Sequence, residues 1–421
     1  MNKASSRIVR TYVSLTLLST FASSFIWGIN TLFLLDAGLS ITKAFAANAF
    51  FTAGEVIFEI PTGVVADTRG RRTSFLLGTA TLFLTTLAYL WLWRTHGPFW
   101  AWALVSMLLG LGFTFFSGAT EAWLVDGLKA ANFKESLDGV FAKGAIATGV
   151  AMLTGTVAGG IVAQFTNLGV PYVMRIVALA ATFLIAFFMM HDEGFDRKKR
   201  SGYLAEVKDV ISETVEFGIR SRPVRWMMLS SIFAGGVAIF AFYAMQPYLL
   251  ELYGNTAGYA IAGIAAAIVA GAQIVGGLLV PYVSRLFTSR TSVLITGLIG
   301  STIALVLIGL AGNFWIVLGL LAVWAIIFAA ITPIRQTYFN GIVPSAQRAT
   351  ILSADNMLTS FGGVISQPGL GKVAEVWGYP MSYLGSAAFQ IIALPFLVLA
   401  KRENAKSDSI KGSKQPGSAG A

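Results

Sequence analysis

Gly63-Val-Val-Ala66-Asp67-Thr68-Arg69-Gly70-Arg71-Arg72 is the stretch on which the reading of this chain turns. It places one acid, three arginines and two glycines in a short segment, with apolar runs at residues 44–66 and 73–94 on either side. A helix needs about 20 mostly apolar residues to cross a bilayer core, and both flanks reach that length. The segment is therefore a tight polar link between two membrane spans. Its glycines permit close packing and a sharp turn. Asp67 is placed to pair with Arg71 or to cap a neighbouring helix N-terminus.

Outward from the link, the same alternation of apolar run and short polar connection covers the chain. Candidate spans fall at 11–35, 44–66, 73–94, 99–127, 137–165 and 171–190, and again at 224–250, 257–284, 291–311, 314–340, 349–376 and 380–400. Composition agrees: 56% of the residues are hydrophobic and 12% charged, where a soluble domain carries about 25% charge. The 44 glycines suit membrane helices, whose backbones approach one another through small residues. The expected fold class is an all-α membrane protein with twelve transmembrane helices. The N-terminal run is basic at Lys3, Arg7 and Arg10 and apolar from Tyr12. It continues well past the length of a signal-peptide core, so it reads as an uncleaved first span.

One segment breaks the alternation. Residues 191–223 hold Asp192, Glu193, Asp196 and the run Arg197-Lys198-Lys199-Arg200, then Leu204, Val207, Val210 and Ile211 at helical spacing. This predicts a basic linker with an amphipathic surface helix. It separates a first six-helix bundle (1–190) from a second (224–400), and residues 401–421, polar and Gly/Ser-rich, are expected to be a disordered tail.

The formal charge of +10 does not signal nucleic acid, because the basic residues sit mainly in the links. With the N-terminus inside, all of the 30 Lys and Arg except Lys43, Arg94, Arg175 and Lys372 fall on the inner side, as the positive-inside rule requires. An even number of spans returns the C-terminus to that side. Both termini are thus expected in the cytoplasm, with the chain multi-pass in a bacterial inner membrane. The absence of cysteine excludes disulfide and thiol chemistry. His96 and His191 lie outside the apolar runs, so no metal site is expected. No nucleophile–base set or phosphate loop is present, so neither catalysis nor a cofactor is expected. Nothing signals oligomerisation, and a monomer is the expectation.

The two halves echo each other. A shift of about 214 residues carries Gly63 to Gly277, Gly127 to Gly341, Gly149 to Gly363, Gly155 to Gly369 and Asp126 to Asn340. Leu34-Leu35-Asp36 matches Leu249-Leu250-Glu251 with one extra residue of offset. Internal repeats of this kind build secondary transporters, with the substrate site between the halves. The two bundles are accordingly expected to be pseudo-symmetric.

The opening motif resembles the signature loop of the major facilitator superfamily, Gly-x-x-x-Asp-Arg-x-Gly-Arg-Arg/Lys between spans 2 and 3. Thr68 stands where the family often has a basic residue, with Arg69 next door. Glu59-Ile-Pro-Thr-Gly63 and Pro344-Ser-Ala-Gln-Arg348-Ala-Thr350 are similar to stretches of bacterial members. Gly155-Thr156-Val-Ala-Gly159-Gly160 in span 5 resembles the Gly-Pro-x-x-Gly-Gly motif of the drug-efflux branch, with Thr156 in place of proline. Its residues alone predict a small-residue face for close helix contact. The resemblance implies a central cavity lined by spans 1, 4, 7 and 10. It also implies a conformational gate at Gly63, Asp67, Gly70, Arg71 and Arg72, joined by Asp126 at the end of span 4. The plainer reading of the arginines is that they set topology.

Charges inside apolar runs are costly and functional by default. Counted from Asp67, Glu59 lies roughly 12 Å and Glu55 roughly 18 Å into a core about 30 Å thick. Four residues apart, they share one helix face. Such a pair in a low dielectric suits a proton carrier; the alternative is a structural pair bonded to neighbouring helices. Glu121, a third candidate for proton coupling, lies about 7–8 Å inside Asp126, and its mirror position is Arg335. Those two are expected to meet across the halves as an inner gate, with Lys143 and Asp355 as competing partners. Arg175 is expected to snorkel to the outer surface. Trp27, Asn30, Tyr243 and Gln246 are candidates for the substrate cavity, offering aromatic faces with few polar anchors.

The leading expectation is a secondary active transporter that exports amphiphilic or drug-like compounds against protons by alternating access. Its partners are then a small-molecule substrate, protons and the lipid bilayer. A proton-coupled uptake symporter for a nutrient or metabolite is the second reading, and a non-transporting membrane sensor or enzyme the third.

Overall fold

An apolar segment surrounded by lipid must satisfy its own backbone, and an open chain does so only as a helix. The computed structural model describes residues 3–116, 118–195, 212, 214–344 and 347–410. Among them there is no β-strand, only an isolated bridge between Ser289 and Ser409. Helices α1 (Lys3–Trp27) and α2 (Asn30–Asp36) form span 1, followed by α3 (Ile41–Arg69) and α4 (Arg71–Thr95). Span 4 consists of α5 (Phe99–Thr114) and α6 (Ala119–Ala130), and α7 (Asp138–Phe165) and α8 (Val170–Met189) complete the first half. A π-helical turn, Thr214–Ile219, precedes α9 (Arg222–Tyr253), α10 (Tyr259–Arg285), α11 (Arg290–Leu310) and α12 (Phe314–Asn340). Then come α13 (Arg348–Ile391) and α14 (Ala393–Arg402).

Helix α13 is two spans. Gly378 interrupts it at φ 85° and ψ 164°, a conformation open to a residue without Cβ. Beyond the break the chain runs back along α9. The Tyr379 ring lies 6.0 Å from that of Tyr248, and Trp226, at the other end of α9, donates to Glu403 at 3.3 Å. Among the described residues, ten helices are long and apolar enough to cross a membrane, the bent α1–α2 pair adds one, and the break at Gly378 splits one of the ten. The result is twelve spans in a multi-pass membrane protein.

They form two pseudo-symmetric bundles of six. In the first, span 1 packs on spans 5 and 6, span 2 on span 4, and span 3 on span 6. The second repeats the plan, with span 7 on spans 11 and 12, span 8 on span 10, and span 9 on span 12. Each bundle has its own buried aromatic and aliphatic centre, around Phe33, Trp102 and Tyr172 in one and Phe240, Leu249 and Leu321 in the other. The halves meet where span 2 lies on span 11 and span 5 on span 8. Large apolar side chains such as Leu84, Leu104, Phe188, Leu278 and Leu310 stand exposed on the outer wall, as lipid solvation of that wall requires.

Several expectations are corrected. Span 1 is bent by 49° between α1 and α2, whereas span 4, as α5 to Thr114 and α6 from Ala119, covers the expected 99–127. Residues 401–410 are anchored, not a disordered tail. The buried Asp408 accepts from the Thr291 amide and hydroxyl, both at 2.7 Å, and so caps the start of α11. The expected amphipathic helix with Leu204, Val207, Val210 and Ile211, the run 197–200, and the tail beyond residue 410 lie outside the described residues.

Candidate functional site

The link between spans 2 and 3 turns at Gly70, whose φ of 103° joins α3 to α4 directly. The turn sets Arg71 against Asp67, with Nη1 and Oδ1 2.6 Å apart. Asp67, Arg71, Asp126 and Lys129 line a cavity of ≈ 490 Å³ at this end of the first bundle. Asp126 thus shares the site with the ion pair. Gly63, one turn deeper, has open space around it.

The sequence offered Asp192 only as a linker acid, yet it holds this turn. Its carboxylate accepts from the Arg72 amide at 2.9 Å and so caps α4 from the end of span 6. A Cβ at residue 70 would collide with it, which explains the second glycine of the motif. Burial pushes the Asp192 carboxyl above the usual carboxylate range, while the Arg72 amide and the Arg72 and Arg71 charges pull it back. The Arg72 side chain donates to the Phe187 carbonyl at 2.7 Å, with its guanidinium 5.2 Å from that ring's centroid. Spacing could not reveal this cap, because 120 residues separate the partners.

A second ionic cluster occupies the second bundle. Arg335 donates from Nε to Asp355 Oδ2 at 2.9 Å and from Nη2 to Oδ1 at 2.7 Å. It also bonds the Met227 carbonyl and the hydroxyls of Ser230 and Ser231. A cavity of ≈ 180 Å³ lies beside the cluster. The expected pairing of Glu121 with Arg335 across the halves is therefore wrong. The guanidinium fork is matched by a two-oxygen carboxylate in its own bundle, and Glu121 lies exposed in the first bundle, near Tyr12.

Glu55 and Glu59 sit on α3, which is pressed onto span 4 where Gly54 meets the Met107 backbone and Gly110 meets that of Phe51. The two carboxylates lie in each other's field, and Glu55 also acts on Tyr243 of the opposite half. Arg175 does not snorkel. It is 1% exposed, bonded to Thr86 at 3.1 Å and held over the Phe113 ring at 5.8 Å, because residues of spans 3, 4 and 7, together with Tyr172 of its own span, surround it.

Gln246 is buried at the seam, and its amide is inserted into the helical ladder of span 1. It accepts from the Thr31 amide at 2.9 Å and donates to the Trp27 carbonyl at 2.7 Å. Those are the backbone groups that an unbroken helix would bond to each other. Thr31 further donates to the Tyr243 carbonyl at 3.0 Å. Gln246, expected as a cavity anchor, thus stabilises the bend in span 1. Gln246→Leu is expected to leave both backbone groups unsatisfied and to cost about 2 kcal/mol in the closed seam. A melting temperature in detergent equal to that of the wild type would contradict this.

Among the described residues, the hydrogen bonds that join the halves run from mid-depth to the end away from Gly70. They are those of Thr31 and Trp27 with span 7, Thr42 with Glu375, Thr52 with Gln367, and Gln164 with Ala260. The glycines of span 5 divide between the bundles. Gly155 meets Ser24, and Gly159 the Phe25 carbonyl, both in span 1; Gly160 meets Tyr259 and Gly263 of span 8.

A family model described as Major Facilitator Superfamily matches residues 12–288 and 258–419. No curated protein matches by sequence. The nucleoside transporter NupG has the same fold, with a TM-score of 0.78 over 95% of this chain and 100% of its own, at 14% identity. A bacterial homolog of the human lysosomal transporter Spinster, solved inward-facing and unoccupied, gives 0.72 over 97% and 99% at 15% identity. A D-xylose–proton symporter gives 0.70 over 93% and 96% at 15% identity. At such identities the likeness is one of fold.

Proposed function

Because the chain belongs to the major facilitator superfamily, and is a transporter rather than an enzyme, we propose that it couples proton movement to the export of amphiphilic or drug-like molecules by alternating access. Glu55 carries the reading. It is an acid at mid-span depth, four residues from Glu59 on the same helix, and its field reaches Tyr243 of the other half. A group at the seam is solvated differently in each state, so its proton biases the equilibrium between them. The basic end, with Gly70 and both termini, faces the cytoplasm in this reading. The contacts clustered at the far end then describe a state closed outside and open inside. The Asp67–Arg71 pair with Asp126, and the Arg335–Asp355 cluster, act as the gate parts of the two bundles at the cytoplasmic end.

A second reading, proton-coupled uptake of a nutrient or metabolite, is favoured by one feature: the polar groups of Asn30, Asn48 and Arg175 beside the seam.

Substrate-driven proton flux in sealed proteoliposomes tests both, with lipophilic cations, antibiotics and polar metabolites as the panel. Flux with a drug-like compound is expected, falling to the level of empty vesicles in Glu55→Gln and reduced in Glu59→Gln. Flux with a polar metabolite alone would establish uptake. Substrate movement without proton flux throughout would sink the coupling.

A further inference from the structure

Arg175 lies in span 6, in the interior of the first bundle, and among the described residues no carboxylate pairs with it. An arginine cannot shed its charge in a protein, so a buried guanidinium needs an anion or carries a standing penalty. Its Nη2 has no hydrogen-bond partner. It lines a cavity of ≈ 40 Å³ together with Asn30, Asn48, Tyr89, Trp27 and, from span 7, Tyr243.

The neighbouring amides form a hydrogen-bonded relay. Tyr172 donates to Asn30 Oδ1 at 3.0 Å, and Asn30 Nδ2 donates to Asn48 Oδ1 at 3.0 Å. That relay leaves Asn48 Nδ2 as its free end, buried and without a partner. Tyr89 is engaged with Ser106 at 2.7 Å. The two side chains that carry these unsatisfied donors, one of them charged, thus line one cavity. What is missing is an acceptor with negative charge.

We propose that the transported substrate is an organic anion whose carboxylate docks on Arg175 and Asn48. This rests on the reading of the chain as a transporter and names the substrate class of its site. A planar guanidinium matches the two oxygens of a carboxylate. The cavity is far below the 300–1,000 Å³ of a whole drug-sized site, so it takes one small group while the apolar remainder lies along Trp27 toward the space between the halves. Tyr243 closes one wall from the opposite bundle, so the site changes shape as the bundles rock. That gives the anion different affinities in the two states, which transport requires.

The test is binding to the purified full chain in detergent, read by titration calorimetry and by melting-temperature shift. Benzoate, salicylate and octanoate are each compared with their own amide, which keeps shape and removes charge. At least one acid is expected to bind ~10-fold or more tightly than its amide, with the preference lost in Arg175→Gln and partly kept in Arg175→Lys. Asn48→Asp supplies a fixed counter-charge, so it is expected to raise the melting temperature and to abolish the preference. It carries the test if Arg175→Gln does not fold. No acid preferred over its amide in the wild type, or a preference that survives Asn48→Asp, overturns the proposal. So does sodium chloride protecting as well as every acid at equal concentration, which would assign the site to an inorganic anion. No vesicle or proton gradient enters this measurement, so its failure leaves proton coupling standing, and the converse holds.

Discussion

Valine at Gly159 will leave the chain unable to assemble, whereas valine at Gly160 will leave it folded but shifted toward the opposite conformational state. A Cβ at 159 would collide with the Phe25 carbonyl in span 1 of the same bundle. Backbone stands on both sides of that contact, so relief requires spans 1 and 5 to part along their length. Overpacking of a well-packed core costs about 1–3 kcal/mol, and more where nothing can move. Valine adds three carbons at a point with no room for one. At 160 the obstruction is Tyr259 O at 2.6 Å and Gly263 Cα at 2.8 Å, both in span 8 of the other bundle. The bundles can separate there without either unfolding. Reversing a two-state population from 1:99 to 99:1 takes about 5.5 kcal/mol, and a clash of this kind supplies a substantial part of it.

Expression and monodisperse elution read the first variant, with Gly149→Val as control, since nothing lies within 4 Å of a Cβ there. The chain has no cysteine, so a single thiol reads the second. Ala262 is buried against the first bundle at the seam, and the maleimide reactivity of Ala262→Cys is expected to rise ~10-fold or more with Gly160→Val. Equal behaviour of valine at 149, 159 and 160 would contradict the assignment of these contacts.

Asp355→Ala is the second large effect. The side chains of Arg335 and Asp355 are 19% and 9% exposed, so the pair is largely desolvated. Removing the acid leaves a buried guanidinium facing two serines and a carbonyl, and breaking such a pair costs about 3–5 kcal/mol. Arg335→Met in the same chain removes the stranded charge and is expected to recover most of the loss, because an apolar pair of similar volume is often as stable. A single variant that melts with the wild type, or a double variant no better than the single, would show that the cluster is not held by this pair.

The spans were legible because apolar length is a local property. The runs 44–66 and 73–94 became Ile41–Arg69 and Arg71–Thr95, and the gap between 376 and 380 held the break at Gly378. Bends were not legible where no polar residue marks them. Trp27 to Ile29 reads as ordinary span, and the group that holds it open, Gln246, lies more than 200 residues away. The same distance problem explains the side-chain partners. Arg175 looked peripheral because depth was counted along one helix, while its burial comes from residues of spans 3, 4 and 7. Arg335 was matched to Glu121 by symmetry, but symmetry relates positions and does not bring them into contact. The Asp67–Arg71 pair was foreseeable because four residues separate its members.

Gly378 also bears on how the chain enters the membrane. One residue between spans 11 and 12 leaves no loop to be handed across separately, so the two must partition into lipid as one helical hairpin. Span 11 is a poor candidate alone. Asp355 and Gln367 lie within it, and a charge costs up to about 2.5–3.5 kcal/mol at the centre of an inserting helix. Span 12 bears no charge from Tyr379 to Ala400, so its favourable transfer offsets that burden at the moment of synthesis. The last span thereby acts as an escort for its polar neighbour, and lengthening the joint at Gly378 would let the biosynthetic machinery reject the neighbour on its own merits.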